Sequence, residues 1–167
     1  MKKIEPPDSF YLDAAQGWVE LGNVTEARAE LAHVAARLQN HPDMLEVRWA
    51  IAATENDWTA ALAIARQAVQ ADPESAAGVV HQAYALRRDP DGGLQAAWDA
   101  LFPAMEKFPG EAIIPYNLAC YACQMDQPAK ARILFARALA IGDKDQIKKM
   151  ALNDSDLKPL WDEIAAM

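Results

Sequence analysis

Four alanines set the frame for this chain. Ala27, Ala61, Ala97 and Ala131 recur at intervals of 34, 36 and 34 residues. Seven positions after each stands Val34, Ala68, Ala104 or Ala138. Five positions before each begins a turn-forming pair: Gly22-Asn23, Asn56-Asp57, Gly92-Gly93 or Asp126-Gln127. Three features held in phase over a period near 34 predict a stacked array of helical hairpins, because periods of this size mark repeat architectures. Composition agrees. The chain is 52% hydrophobic but only 8% aromatic, with alanine supplying much of the rest. Alanine has the highest intrinsic helix propensity and little bulk, so the expectation is an all-α fold with closely approaching helices.

The punctuation between apolar stretches places the helices. Pro6-Pro7-Asp8-Ser9 reads as a short arm ending in an N-cap, since Asp and Ser oxygens accept from first-turn N–H groups. A helix then runs to about Leu21, and a second from about Thr25 to Asn40, stopping before Pro42. Further pairs are expected over 42–54 and 58–71, 75–88 and 94–107, and 112–124 and 128–141. Connections of two to five residues make neighbouring helices antiparallel. The first helices carry apolar stripes at i, i+4, i+7: Tyr11/Ala15/Trp18, Leu45/Trp49/Ala52 and Val79/Ala83/Leu86. The second helices set Leu31, Ala65, Leu101 and Phe135 four positions beyond the anchor alanines. A hairpin of this kind buries its stripe only against its neighbours.

These residues resemble the tetratricopeptide repeat family. The match is fullest in Ala61, Ala68 and Asp72-Pro73, and in Tyr116-Asn117-Leu118-Ala119-Cys120-Tyr121 followed by Asp126, Ala131, Phe135 and Ala138. The resemblance covers residues 8–142 and implies one domain over 1–167. It comprises repeats at 8–41, 42–74, 75–110 and 111–142, and closing helices over 143–167. The fold it implies is a right-handed superhelical solenoid of antiparallel hairpins. Departures are also visible. Three extra residues before Pro42 predict a longer second helix in repeat one. Two extra residues enlarge the Asp89–Gly93 turn. Pro103 should kink or end its helix, Arg48 replaces an apolar residue, and Pro115 must lie in a first turn. In the closing segment, Asp154 or Ser155 should cap a last helix with Leu157, Leu160, Trp161 and Ile164 on its apolar face.

In the family, the first helices line a concave groove. The resemblance therefore assigns partner contacts to Asp13, Gln16 and Glu20; to Glu46, Ala50 and Thr54; to His81, Tyr84, Arg87 and Arg88; and to Tyr116, Asn117, Cys120 and Gln124. That groove is acidic towards its first half and basic towards its second, with Tyr84 and Tyr116 suited to a peptide or helix. Asn117 can hold a backbone amide through both donor and acceptor. The carboxylate clamp of heat-shock co-chaperones is not matched, because Leu12, Gln16, Val47, Ala77 and His81 occupy its positions.

Other chemistries find little footing. The net charge of −8 argues against nucleic acid, whose binders carry a basic stripe, and against anionic lipid. No run of 18 apolar residues predicts a membrane span. No apolar segment follows Lys2-Lys3, so a signal peptide is not expected. Cys120 and Cys123 are too few for a disulfide framework, which fits a reducing, cytoplasmic setting. Their CxxC lies inside a helix, away from the N-terminal position that activates a redox thiol. Structural zinc wants four ligands, and His33, His41 and His81 are distant in sequence, so these cysteines read as packing residues. The five tryptophans, Trp18, Trp49, Trp58, Trp98 and Trp161, read the same way. No phosphate loop, HExxH or nucleophile elbow occurs, so no catalytic, metal or cofactor site is expected. The leading expectation is a bacterial-type, non-catalytic adaptor or scaffold that binds a partner protein. A secretion-type or assembly chaperone is the alternative, and an enzyme subunit lacks a paired acid–base constellation. Partly exposed Trp58, or an uncovered N-terminal stripe, leaves self-association open.

Overall fold

The computed structural model describes residues 3–166; Met1, Lys2 and Met167 lie outside that range. Among the described residues all regular structure is helical. The helices are α1 Asp8–Glu20, α2 Val24–Leu31, α3 Pro42–Thr54, α4 Trp58–Ala71, α5 Ala76–Leu86, α6 Leu94–Leu101, α7 Ala104–Lys107, α8 Ile113–Gln124, α9 Pro128–Ile141, α10 Lys144–Ala151 and α11 Trp161–Ala166. Short 3-10 turns cover Ala36–Leu38 and Ser155–Leu160. No helix among these residues is long and apolar enough to cross a membrane. The chain divides into two compact units, residues 1–91 and 92–167.

The period survives as geometry. Three hairpins, α1–α2, α3–α4 and α8–α9, are each joined by a three-residue connection, at 21–23, 55–57 and 125–127. In each, the middle residue takes a left-handed backbone: Gly22 at φ 74°, Asn56 at φ 58° and Asp126 at φ 57°. The next N–H then reaches back five residues, from Asn23 to Trp18 O at 2.8 Å, Asp57 to Ala52 O at 2.9 Å and Gln127 to Ala122 O at 2.8 Å. This is the Schellman closure, which satisfies last-turn carbonyls and favours Gly or Asn at its left-handed residue. Asn23 and Asp57 also cap the following helix, accepting from the N–H groups of Glu26 and Ala60. The turn at 87–93 is longer. There the left-handed residue is Gly93, at φ 118°.

The anchor alanines Ala27, Ala61, Ala97 and Ala131 are all fully buried. In the first unit two apolar layers share α3. Met44, Val47 and Ile51 pack with Leu12, Ala15, Ala27 and Leu31. Leu45 and Ala52 pack with Ala61, Leu62, Ile64 and Ala85, and Trp49 and Trp58 lean on that second layer. The helix thus has two buried faces. In the second unit α8 is buried along most of its length, from Ile114 to Cys123. It packs against α6, α9 and the 155–160 turn, where Leu101, Phe135, Leu157 and Leu160 are almost fully enclosed.

Two local expectations are corrected. The second helix of repeat one is shorter, not longer: α2 ends at Leu31. Asp8 explains why. Rather than capping α1, its buried carboxylate accepts from Ala35 N–H at 2.8 Å and from the Arg37 guanidinium at 3.0 Å. That bond secures the chain just beyond α2, where Ala35 is non-helical and a 3-10 turn follows. Pro103 does end its helix, separating α6 from α7. Asp154 caps the 155–160 turn through Asp156 N–H, and Leu157, Leu160 and Ile164 are buried.

Glycine substitutions test how closely the helices approach. A Cβ on Gly78 would lie 2.9 Å from Val69 N and 3.1 Å from the Ala68 carbonyl carbon, whereas one on Gly17 meets nothing within 4 Å. In urea unfolding, Gly17→Ala should stabilise by about 0.5–1 kcal/mol through helix propensity. Gly78→Ala should destabilise by about 1–3 kcal/mol, because backbone must move. Equal effects at the two sites would contradict this close approach of α5 to α4.

Candidate functional site

In the first unit, the three helices that open hairpins in the sequence reading line one cleft of about 390 Å³. Helix α1 contributes Leu12, Asp13 and Gln16. Helix α3 contributes Pro42, Asp43, Glu46 and Val47. Asp72, Ser75 and Ala77 close it around the start of α5. Leu12 and Val47 are buried and form an apolar floor. Four carboxylates, those of Asp13, Asp43, Glu46 and Asp72, edge it, and among the described residues no Lys or Arg lines it. Burial, reinforced by the neighbouring charge of Asp43, raises the Glu46 carboxyl above its ordinary pKa.

Helix α3 stands here because His41 accepts from Asp43 N–H and Pro42 opens the first turn, where a missing N–H costs nothing. Ser75 likewise accepts from Ala77 N–H and starts α5. Of the residues predicted from the sequence, Asp13, Gln16 and Glu46 meet in this cleft. Glu20 is exposed and accepts from Gln16 at 3.2 Å. Further along α3, the Thr54 hydroxyl donates to Ala50 O at 2.8 Å. Asp43 and Asp72 were not read as partner contacts. Their signal was position, one after the proline at the start of α3 and the other before Pro73.

The other predicted residues of this unit form an aromatic and cationic array. His81 stacks on Trp49 with ring centroids 3.8 Å apart and planes 8° from parallel. Tyr84 meets Trp49 edge-on at 5.9 Å. The Arg88 guanidinium lies 3.6 Å from the Tyr84 centroid and 5.2 Å from Trp58, a favourable placement over ring faces. Glu46 Oε2 stands 3.4 Å from His81 Nδ1, yet burial outweighs that carboxylate and lowers the imidazole pKa to about 4. At neutral pH the pair is therefore no ion pair. Trp49, read as a packing residue, is the centre of the array, and its buried Nε1 has no hydrogen-bond partner among the described residues.

In the second unit the predicted residues turn towards the closing segment. Tyr116 and Cys120 are buried. The Tyr116 hydroxyl donates to Asp154 Oδ2 at 3.0 Å, and the Cys120 thiol lies 3.4 Å from the same oxygen. Asp154 Oδ1 accepts from Asp156 N–H at 3.0 Å, and the Gln124 amide donates to Asp156 O at 3.3 Å. Burial, aided by the nearby acidic groups, raises the Tyr116 hydroxyl far above its ordinary pKa. Asn117 alone of the four is neither buried nor hydrogen-bonded through its side chain among the described residues. Donor atoms of Cys120, Asp154 and Asp156 lie within 4.8 Å of one another. Through these hydrogen bonds Tyr116, Cys120 and Gln124 of α8 clasp the closing segment. Cys123 is buried without a disulfide, and burial raises its thiol pKa, which disfavours the nucleophilic thiolate.

No protein-family model matches the chain, and a search of curated proteins finds no match.

His81 gives the first unit an acid-sensitive element. Between pH 6.5 and 4 an unfolded chain protonates this imidazole while the folded one does not, so stability falls as pH falls through that window and levels off below it. The loss amounts to about 3 kcal/mol at most. Glu46, raised in the fold, acts in the opposite sense but is 51% exposed. His81→Phe keeps a ring on Trp49 and removes the titration. Urea unfolding of this variant at pH 7 and pH 5 should show a smaller acid-induced drop than the parent. An unchanged drop would contradict the buried, neutral imidazole.

Proposed function

We propose that this chain is a non-catalytic, tetratricopeptide-like interaction module of the cytoplasm, a right-handed solenoid that holds a peptide or helix of a partner protein along its first helices. One observation carries the reading. Asp13, Gln16 and Glu46, chosen from the sequence as partner contacts, lie together on a cleft that α1, α3 and the start of α5 enclose. An apolar floor with a polar edge suits a side chain inserted between backbone-directed hydrogen bonds. The acidic edge, with no Lys or Arg of its own among the described residues, favours a partner segment carrying Lys or Arg. The array of His81, Tyr84 and Arg88 offers that partner a second, aromatic contact.

Site-specific photocrosslinking tests this in the native cell. A crosslinking amino acid at Gln16 or Ala77 should capture one common protein. The same group at Ile133, 72% exposed on α9, should not. Raising the ionic strength should weaken the capture several-fold, as screening of an acidic edge requires. Identical products from all three positions, or none from Gln16 and Ala77, would overturn the reading.

A further inference from the structure

A second recess in the first unit lies apart from the cleft above. It occupies about 290 Å³ between the end of α2, the 3-10 turn at Ala36–Leu38 and α3. This is at the small end of ligand pockets, which run from about 300 Å³ upward. Leu31, Met44 and Ile51 form its floor, and Arg28 and Arg48 its charged wall. The early end of α2 at Leu31 leaves the following chain, through Gln39, to form one side of it.

Arg48 is the informative residue. It stands on α3 where the repeat pattern calls for an apolar side chain, and it is half-buried. Arg28 has its carboxylate, that of Glu55. The Arg48 guanidinium has none among the described residues. Its one hydrogen bond, to Gln39 O, is long at 3.4 Å. A guanidinium stays charged at every physiological pH, and a charge partly withdrawn from water is unfavourable until a counter-charge meets it. A carboxylate fits that need, since it accepts two parallel N–H bonds from the guanidinium fork.

We propose that this recess binds a monocarboxylate with a short aliphatic body, its head on Arg48 and its tail over Leu31, Met44 and Ile51. The chemistry is shared by a free carboxylic acid and by the C-terminal carboxylate of a chain ending in an aliphatic residue. The site does not depend on the partner-binding cleft, and either can fail alone.

Calorimetric titration of the full chain with hexanoate, hexan-1-ol and N-acetyl-leucine tests it. Saturable hexanoate binding is expected, with hexan-1-ol at least tenfold weaker. Arg48→Met should weaken hexanoate at least tenfold. Arg48→Lys, which keeps the charge but not the fork, should give an intermediate loss. Arg66→Met, at an exposed residue of α4, should change nothing. N-acetyl-leucine binding more tightly than hexanoate identifies a chain terminus as the source, and the reverse order a free acid; both support the site. Absence of saturable binding, equal binding of the alcohol, or an Arg66→Met loss matching that of Arg48→Met would each overturn it. So would parent-like hexanoate affinity in an Arg48→Met protein of unchanged helix content.

Discussion

The close approach of helices at four buried alanines is the constraint on which the rest of this structure depends. Ala27, Ala61, Ala97 and Ala131 expose nothing to solvent. In a close-packed interior a larger side chain at such a position has to displace its neighbours. At Gly78 the approach is tighter still, and even a methyl would crowd the backbone of α4. Small residues on the second helix bring the first helix near, and the Schellman turns at Gly22, Asn56 and Asp126 set the entry of each following helix. The two devices recur in phase because they solve one problem: closing a hairpin in three residues while leaving room for a tight interface.

The surface of the candidate cleft follows from how α3 is shared. One face feeds the layer with Leu12 and Leu31, another the layer with Ala61 and Leu62. Between the two buried faces of α3 runs a strip open to solvent, and it carries the exposed Asp43 and Glu46. Set beside Asp13 and Asp72, these carboxylates give the cleft its sign. Two arginines of the same unit are engaged elsewhere: Arg88 lies over Tyr84 and Trp58, and Arg28 pairs with Glu55. Among the described residues no Lys or Arg lines the cleft to offset these carboxylates.

Regular hairpins were legible in the sequence wherever local signals agreed. The expected bounds 42–54, 58–71 and 128–141 coincide with α3, α4 and α9, because Pro42, Asp57 and Pro128 mark starts that tertiary contacts do not override. Helix α2 was not legible. Its end depends on Asp8, 27 residues upstream, reaching Ala35 N–H, and no local propensity records a bond of that range. The fate of Tyr116 and Cys120 was hidden for the same reason. Their face of α8 is covered by Asp154, more than thirty residues later in the chain. Asp13, Gln16 and Glu46 were assigned through the family resemblance, and the structure places all three on one cleft. The depth of Trp49 and His81 could not, since a ring stack across α3 and α5 depends on packing distance rather than spacing.

The most direct measurement is urea unfolding of a leucine series at the anchors. Ala27→Leu, Ala61→Leu and Ala131→Leu are compared with Ala63→Leu and Ala129→Leu, whose parent alanines are exposed on α4 and α9. The account predicts that each anchor variant loses about 1–3 kcal/mol through overpacking, while the exposed pair stays within about 0.5 kcal/mol of the parent. Anchor positions that accept leucine as readily as the exposed ones would contradict it.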